Sequence, residues 1–522
     1  FGRSQNNRQQ QFGGAVGGAI VKDRLFYFGA IEQNFLRTPF FVKFDPQPAN
    51  GPPVPAALQQ LEGENTSTND TTALFTRLDW TVNQKNTVSF NYLFSRLEGD
   101  NFGITSSQTN FAATIGYSNQ RRSNSVKASW QTILTPTKIN ELRFQWAQDD
   151  REETANTLGP EIRITGFGRI GGPQSRPQTL NSERWQWVDT LSGVSGAHNW
   201  KLGVDVNVSP QFQNRAQQYQ GVYNFVSLAA YLSRTIQRFQ QAIPLTPDSG
   251  GYRGTQQEWA LFVTDQWQLK RNLNVSAGLR WEAQRNPQPP QPNPRFPQTA
   301  VVPNDLAMWQ PRLGLTWKPR SSDRGVLRLS SGIFTARTPA TIFSRVFHDN
   351  GINVIGLDSN VSRNILTIVP FPGAFTAVPT GVAGIVPRIF GMESGFRNPR
   401  SFQLSVSWEQ EFVRNWSASI GYLRNSTWNL HRMLDRNLFP PVYDATGLPV
   451  FPATRPDPSI GILQINESSA HASYDGLLLS VRRRMTKRVS LQSSYTFAVT
   501  HDDDSNERDF SRNLVLDPFN LK

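Results

Sequence analysis

The stretch from Asn272 to Trp281, NLNVSAGLRW, alternates between apolar and polar residues. Successive side chains of a β-strand point to opposite faces, so this segment would present leucine, valine, alanine and tryptophan on one face only. The segment before it, Glu258 to Leu269, repeats the pattern, and Lys270 and Arg271 form a tight turn between the two. The sequence therefore predicts a β-hairpin with one face suited to lipid and the other suited to water.

The same construction recurs along the chain and predicts eight hairpins, or sixteen strands. Short turns are predicted near residues 22–24, 83–86, 135–138, 194–198, 270–271, 319–325, 412–414 and 484–488. Long polar connections are predicted at 36–70, 98–122, 150–182, 208–255, 286–307, 337–400 and 427–471, and one of them carries a candidate short helix at Phe225–Ile236. This alternation is typical of an all-β, transmembrane, antiparallel up-and-down β-barrel, whose short turns face the periplasm and whose long loops face outside.

Composition is compatible with this fold class. The hydrophobic share is 37%, but a barrel confines its apolar band to every second residue of short strands, so a low average does not exclude a membrane protein. No run of about 18 apolar residues exists, which excludes helical spans. The chain has no cysteine, so it forms no disulfides or thiolate metal sites, and this fits an oxidising compartment.

The charge, 53 basic against 40 acidic residues, raises the question of a nucleic-acid partner. Phosphate contacts need lysine and arginine clustered on one face. The densest basic runs are Arg121–Arg122 and Arg482–Arg484, and the rest is spread over lumen-facing strand positions and loops. We therefore predict no nucleic-acid binding, because a basic lumen or loop surface that steers anionic solutes explains the same composition.

The residues of an enzyme site are not recognisable. The five histidines are scattered without a metal-binding spacing, no catalytic triad can be nominated, and no cofactor is predicted. The acidic run Asp502, Asp503 and Asp504 is a weak calcium candidate. It lacks the glycine-punctuated spacing of a dedicated calcium loop, and a solvated loop is the favoured interpretation.

The opening segments resemble a known family. Phe1–Arg8, followed by QFGGAVGGAIVKDRLFYFG at Gln11–Gly29, resembles the entry into the barrel of Oar-like TonB-dependent transporters. That family typically has Gly-Gly-Pro-Ile where this chain has Gly18–Ile20. Further similar segments are Tyr223–Phe225, Ala229–Leu232 and Ser494–Phe497 leading to Asp502. The resemblance spans essentially the whole chain, although its motifs are compositional.

This resemblance implies a barrel of 22 strands. Residues 1–522 would be a partial barrel domain, with an N-terminal regulatory-like domain, a plug and the last strands lying outside the chain. The implied function is energy-coupled uptake of a bulky or scarce solute, such as an oligosaccharide, a peptide or a siderophore. TonB and its inner-membrane partners would act on the plug. The barrel would lie in the outer membrane of a Gram-negative-type bacterium, in contact with its lipid.

Eight polar strand positions are predicted to face the lumen. By the resemblance, they would contact the plug or line the solute path, and ordinary hydration of a wide interior is the simpler alternative for any one of them. These candidates are Arg143, Gln145, Gln186, Asn274, Arg280, Arg328, Ser405 and Gln492.

Two other classes of protein remain open. A passive porin or surface adhesin would have the same barrel pattern without a plug. A soluble all-β carbohydrate-binding protein or propeller enzyme would need blade repeats of about 40–50 residues, whereas the hairpin spacing here is irregular. Asp189 and Asp265 fall in register with the apolar faces of their strands, so we predict that both lie at a rim or beside a bulge.

Overall fold

A computed structural model describes residues 6–104, 107–215, 217–245, 250–319, 324–360, 363–380, 387–486, 488–503 and 515–521. Sixteen long strands dominate it. They are β1 (Arg8–Val21), β2 (Leu25–Val42), β3 (Gly63–Asn83), β4 (Asn86–Phe102), β5 (Tyr117–Thr135), β6 (Lys138–Ala155), β7 (Gln178–Ser195), β8 (His198–Arg215), β9 (Gly251–Lys270), β10 (Leu273–Arg285), β11 (Asp305–Trp317), β12 (Gly325–Thr335), β13 (Arg400–Val413), β14 (Trp416–Asp435), β15 (Leu463–Thr486) and β16 (Val489–Asp502).

Each long strand pairs antiparallel with the next one in the chain, from β1–β2 through to β15–β16. The sample hairpin has the predicted register, since Leu261 pairs with Trp281 and Val263 with Leu279. A short strand, Ile389–Met392, adds parallel pairing to β15 and makes the sheet 17-stranded. The up-and-down barrel fold with sixteen long strands is therefore confirmed, and this continuous sheet is not a set of propeller blades.

The ends of this sheet are not joined to each other. Across the part of the chain that the structure describes, no pairing links β1 to β16, and both strands are exposed along their length. Between them, the outer face carries the apolar side chains of every second residue, including Trp80, Trp130 and Leu313, each about half exposed.

The strands extend further than predicted at the end opposite the short turns. β2 continues to Val42 and β3 begins at Gly63, so the predicted loop at 36–70 shrinks to residues 43–62. β15 has 24 residues, which at roughly 3.3 Å per residue is far longer than a hydrocarbon core about 30 Å thick. The extension of β3 is polar on both faces, whereas that of β2 ends in Phe40 and Val42, which pack into the buried core of the loops, so neither continues the apolar alternation of the lipid-facing wall.

The long connections contain a second, five-stranded sheet. Its strands, in spatial order, are Val354–Asp358, Arg238–Pro244, Val222–Phe225, Glu161–Ile164 and Gly168–Gly171. A two-stranded ribbon joins Val442–Tyr443 to Pro449–Val450. The α-helices are Ala56–Gln59, Leu228–Leu232 and Ser344–His348, and the 3₁₀ turns are Ala113–Ile115, Pro297–Thr299, Ala340–Ile342 and Arg363–Thr367. The helix predicted at Phe225–Ile236 is thus present but shorter. Among the described helices, none has the length and hydropathy to span a membrane.

Asp189 and Asp265, the two aspartates in register with outward-facing apolar side chains, each contact a polar side chain that is closer to the short turns than they are. Asp189, in register with Leu142 and Val204, accepts a hydrogen bond from Asn140 Nδ2 at 2.8 Å. Asp265 Oδ2 lies 2.6 Å from Nδ1 of His198, the first residue of β8, and its strand shifts register two residues further on. The pairing of Asp189 is uninterrupted, so its position at a rim stays a prediction.

Candidate functional site

The inner face of strands β7–β10 carries a belt of charged side chains, which we call the lumen belt. Its members are Arg184, Gln186, Asp205, Asn207, Glu258, Arg280 and Glu282, and they line a cleft of about 330 Å³ together with Arg337 from the loop after β12. Alternation along the strands places these side chains on the face opposite to the exposed tryptophans and leucines. The cleft therefore belongs to the interior of the barrel wall.

Arg280 lies at the centre of the lumen belt. Its Nε donates to Glu282 Oε1 at 2.6 Å, and its Nη2 lies 3.4 Å from Asp205 Oδ2. Gln186 Nε2 donates to the other oxygen of Asp205 at 2.9 Å, and the guanidinium lies over the ring of Phe262 at 5.7 Å. One arginine thus holds a carboxylate of its own strand, Glu282, and one of β8, Asp205, and this arrangement fixes the side chains that face the lumen.

Glu258 forms the second part of the belt. Its Oε2 accepts from Asn207 Nδ2 at 2.7 Å and from Arg337 Nη1 at 3.5 Å. In contrast, Glu258 Oε1 and Asn207 Oδ1 are buried without a hydrogen-bond partner among the described groups. A buried acceptor without a partner is unfavourable, so both atoms are suited to accept hydrogen bonds from a group that enters the cleft.

A second cleft of about 590 Å³ continues from the lumen belt across β4–β10. Its lining contains four of the eight lumen candidates, namely Arg143, Gln145, Gln186 and Arg280, together with Lys127 and Glu141. The other four candidates also occupy inward strand positions but line neither cleft. Three of them lie opposite a polar residue of the adjacent strand: Asn274 opposite Thr316, Ser405 opposite Ser330, and Gln492 opposite Arg482. The fourth, Arg328, forms an ion pair with Glu409 at 3.0 Å. The contact of any of these residues with a plug or a solute remains a proposal.

A buried polar network attaches the loop between β12 and β13 to the wall. Near its start, the Thr338 carbonyl accepts from Gln256 Nε2 at 2.9 Å and from Gln284 Nε2 at 3.0 Å. Near its end, Asn398 donates from Nδ2 to Gln284 Oε1 at 2.7 Å and from its backbone to Asp305 Oδ2 at 3.0 Å. Both ends of this 64-residue connection, 336–399, are therefore held at the same part of the barrel wall.

Five of the long connections pack on one another around the five-stranded sheet, and we call this unit the loop assembly. It comprises the described residues of 43–62, 103–116, 156–177, 216–250 and 336–399. Its hydrophobic core includes Phe44, Phe167, Tyr223, Phe225, Leu228, Phe239, Leu357 and Ile365, all less than 5% exposed. Phe44 stacks on Phe167 with 4.5 Å between ring centroids. These five connections thus form one packed body rather than five independent polar loops.

The loop assembly also buries charges in pairs. Asp349 accepts from Arg345 Nε at 2.8 Å and lies 3.0 Å from His348 Nδ1. Burial alone would raise the pKa of Asp349, but the charges of His348 and Arg345 more than offset this effect and hold the pKa well below its usual range. Burial, followed by the nearby charge of Arg345, lowers the pKa of Arg388 to about 10. Burial likewise raises the pKa of the Tyr223 hydroxyl, which donates to the Gly373 carbonyl at 2.8 Å.

The acidic run near the end of β16 is partly engaged by protein groups. Asp503 pairs with Nη2 of the buried Arg432 at 2.9 Å and accepts from the backbone N–H of His471 at 2.7 Å. Asp504 lies outside the described residues. Within the described ranges, no group of three or more histidine or carboxylate side chains is placed to hold a metal ion. Calcium binding at Asp502–Asp504 stays an untested prediction.

Sequence analysis missed the carboxylates of the lumen belt and the loop core. Asp205, Glu258 and Glu282 alternate on their strands like the residues that were nominated, so the same parity rule would have found them. The loop core had a weaker signal, namely short apolar runs such as Ile162–Ile164 and Val354–Leu357 between turn residues. Runs of this length do not reveal which loops pack together.

A transmembrane wall with a polar inner face and packed loops at one end defines this molecule as an outer-membrane β-barrel. The family described as "Outer membrane beta barrel domain" matches residues 40–522. The chain belongs to this family, and its location is the outer membrane. No curated protein matches the chain in sequence.

Solved structures with a similar fold include outer-membrane transporters and receptors. The outer membrane transporter YddB from Escherichia coli has a TM-score of 0.60 and 10% identity, and the match covers 95% of this chain and 55% of YddB. The ferric enterobactin receptor PfeA from Pseudomonas aeruginosa, a mutant form, has a TM-score of 0.56 and 11% identity over 94% and 59% of the two chains. The siderophore receptor PirA from Acinetobacter baumannii gives 0.56 and 11% over 96% and 60%. This chain thus spans less than two thirds of each, and the likeness concerns the fold.

Proposed function

We propose that this chain is the barrel wall of an Oar-like TonB-dependent transporter that takes up a bulky or scarce solute across the outer membrane. In this proposal, residues 1–522 form a partial barrel domain of a 22-stranded barrel. A plug and the remaining strands complete it, and TonB with its inner-membrane partners acts on the plug. The protein is a transporter and not an enzyme.

The observation that carries this proposal is the lumen belt. The arginines of the belt and Arg337 face three carboxylates, so the cleft lining is balanced in formal charge: Arg184, Arg280 and Arg337 against Asp205, Glu258 and Glu282. A balanced wall does not accumulate ions of one sign, and it offers hydrogen-bonding groups in fixed positions instead. Glu258 Oε1 and Asn207 Oδ1 remain available to accept hydrogen bonds. Such a wall is suited to hold a polar plug or to guide a polar solute.

Within this proposal, the two clefts divide the lumen candidates into two groups. Gln186 and Arg280 line both clefts, and Arg143 and Gln145 line the larger one. We assign these four to contact with the plug or the solute. Asn274, Arg328, Ser405 and Gln492 would hydrate the remaining inner surface.

The solute is expected to be a polar molecule, and three classes of polar molecule meet this condition. The loop assembly places the long connections in one body at the end that faces outside, where a solute first meets the protein. An oligosaccharide, a peptide or a siderophore would each offer the hydroxyl, amide or carboxylate groups that fit such a surface. PfeA is a ferric enterobactin receptor and PirA is a siderophore receptor, which supports siderophores as one of the candidate solute classes.

The test is an uptake assay with the full-length protein in outer membranes of a host that lacks its own receptors. Cells receive labelled oligosaccharides, peptides and ferric siderophores, with or without a protonophore. The proposal expects accumulation of one class that is abolished by the protonophore and reduced by Arg280→Gln. Arg328→Gln, which removes a charge from the same inner face outside both clefts, serves as the control. Uptake that is insensitive to the protonophore would instead establish a passive porin.

A further inference from the structure

The short turns at the periplasmic end carry a concentration of positive charge that the uptake function does not use. The described residues of the eight turns contain eight basic residues and only one acidic residue, Asp23. The basic residues are Lys22, Arg24, Lys85, Arg271, Lys318, Arg324, Arg414 and Arg488. More than half of the net charge of +13 therefore lies in these turns, rather than being spread over lumen and loops. We call these residues the basic rim.

The charges of the rim differ from those of the loop assembly in their pairing. Loop arginines bind carboxylates of the protein, as in Arg238 with Asp358 at 2.9 Å and Arg163 with Glu161 at 2.7 Å. By contrast, Lys22, Lys85, Arg271 and Arg414 are exposed and take part in no ion pair among the described residues. These four cations are therefore free to meet an anion from outside the protein.

The rim lies next to a row of outward-facing tryptophans. Trp80 pairs with Leu25 beside the first turn, and Trp130 Nε1 donates to Asn86, the residue after Lys85, at 3.1 Å. Trp317 precedes Lys318 directly, and Trp267 stacks on His198 with 5.4 Å between the rings. Exposed tryptophans of membrane proteins concentrate at the level of the lipid headgroups. The basic rim consequently lies at the depth of the lipid phosphates.

From this arrangement we infer that the basic rim is a binding surface for anionic glycerophospholipids of the periplasmic leaflet. The phosphate of such a lipid would bind the lysine and arginine side chains of the turns, while its acyl chains would pack against the tryptophans above them. Phosphatidylglycerol has the required single negative charge, whereas zwitterionic phosphatidylcholine has none in excess. The inference concerns lipid contact and is independent of the solute that the barrel carries.

The test compares matched double variants of the full-length protein. Lys85→Gln with Arg271→Gln removes two exposed cations of the rim, and Lys43→Gln with Arg285→Gln removes one lysine and one arginine that are exposed at the opposite end of the wall. Each protein is equilibrated in neutral detergent with equal amounts of phosphatidylglycerol and phosphatidylcholine. The lipids that remain bound after purification are then counted by mass spectrometry.

We expect the parent protein and the opposite-end variant to retain phosphatidylglycerol in preference to phosphatidylcholine. In the rim variant, the ratio of bound phosphatidylglycerol to bound phosphatidylcholine should be about fivefold lower. Salt at 0.5 M should have the same effect on the parent, because it screens exposed charges. Equal lipid retention by the rim variant and the parent would overturn the inference, as would an equal loss in the opposite-end variant. If the rim variant fails to fold, the charge-conserving Lys85→Arg with Arg271→Lys must keep the preference, and its loss there would also overturn the inference.

Discussion

Asn398 and Gln284 are 114 residues apart in the chain, yet Asn398 Nδ2 donates a 2.7 Å hydrogen bond to Gln284 Oε1 inside the protein. Gln284 also donates to the carbonyl of Thr338, at the other end of the same loop. One buried amide of β10 therefore holds both ends of the connection 336–399. This connection supplies the helix Ser344–His348 and the edge strand Val354–Asp358 of the five-stranded sheet. The barrel wall and the packed loops are mechanically linked at this point.

The first prediction concerns this link. Asn398→Ala removes the side-chain donor to Gln284 Oε1 and the acceptor of the Thr338 hydroxyl in a buried site, while the backbone donor to Asp305 stays, and this should cost about 1–3 kcal/mol of local stability. We expect faster cleavage of residues 336–399 by a protease under conditions that leave the barrel strands intact. Thr376→Ala, in the same loop but on its surface, is the control and should leave the cleavage rate unchanged.

The second prediction concerns the lumen belt. Arg280→Gln leaves Asp205 and Glu282 without their shared cation, and the free energy of unfolding in detergent should fall by about 2 kcal/mol. Adding Asp205→Asn to Arg280→Gln should restore part of this loss, because the unpaired carboxylate is then removed. Arg328→Gln breaks a half-exposed pair with Glu409 and should cost less than about 1 kcal/mol. Equal losses for Arg280→Gln and Arg328→Gln would contradict the special position of Arg280.

The third prediction is a pH dependence of the loop assembly. The pKa of Asp349 is lower in the folded protein than the value of about 3.9 expected for an unfolded aspartate, so its charged form stabilises the fold. This contribution is complete at neutral pH and is lost as the pH falls from about 5 towards the folded pKa. The protection of the Ser344–His348 amides, taken relative to their intrinsic exchange rate at each pH, should therefore fall below pH 5. In Asp349→Asn this protection should already be low at pH 7 and should change little on acidification.

The fourth prediction tests whether the loops share one core. Phe167 is 1% exposed and stacks on Phe44, so Phe167→Ala should destabilise the loop assembly by about 3–5 kcal/mol through the cavity it creates. Hydrogen exchange should rise in Val222–Phe225 and Arg238–Pro244 as well as around residue 167. Leu158→Ala in the same loop is the control, because Leu158 is 70% exposed. A rise confined to residues near 167 would show that the loops are independent.

Much of the wall could be predicted from the sequence because its rule is local. The side chains of Asn272–Trp281 alternate in polarity with a period of two, and this period determines both the strand and its outward face. The hairpin turns could be predicted for the same reason, since Lys270–Arg271 lies between two such alternating segments. The extension of β3 has no apolar face, and the apolar residues Phe40 and Val42 of the β2 extension pack into the loop core instead of facing lipid, so both extensions escaped the same rule.

The loop assembly and the details of the lumen depend on contacts that are remote in sequence. Nothing near Phe44 indicates that it stacks on Phe167, and nothing near Arg280 indicates that it also contacts Asp205, which is 75 residues away in the chain. Parity could place Arg280 inside the barrel, but only the pairing of β8, β9 and β10 brings its partners together. The basic rim was missed for a related reason, since its charges are one or two residues in each of several separate turns that the consecutive hairpins assemble at one end.

The central claim is that this wall belongs to a plugged, energy-coupled transporter and not to an open pore. The most direct measurement is the ionic conductance of the full-length protein in a planar lipid bilayer without an energy source. A plugged transporter should insert without steady conductance, because the plug fills the lumen. A stable, ohmic open channel in the full-length protein would contradict the claim and assign the wall to a passive porin.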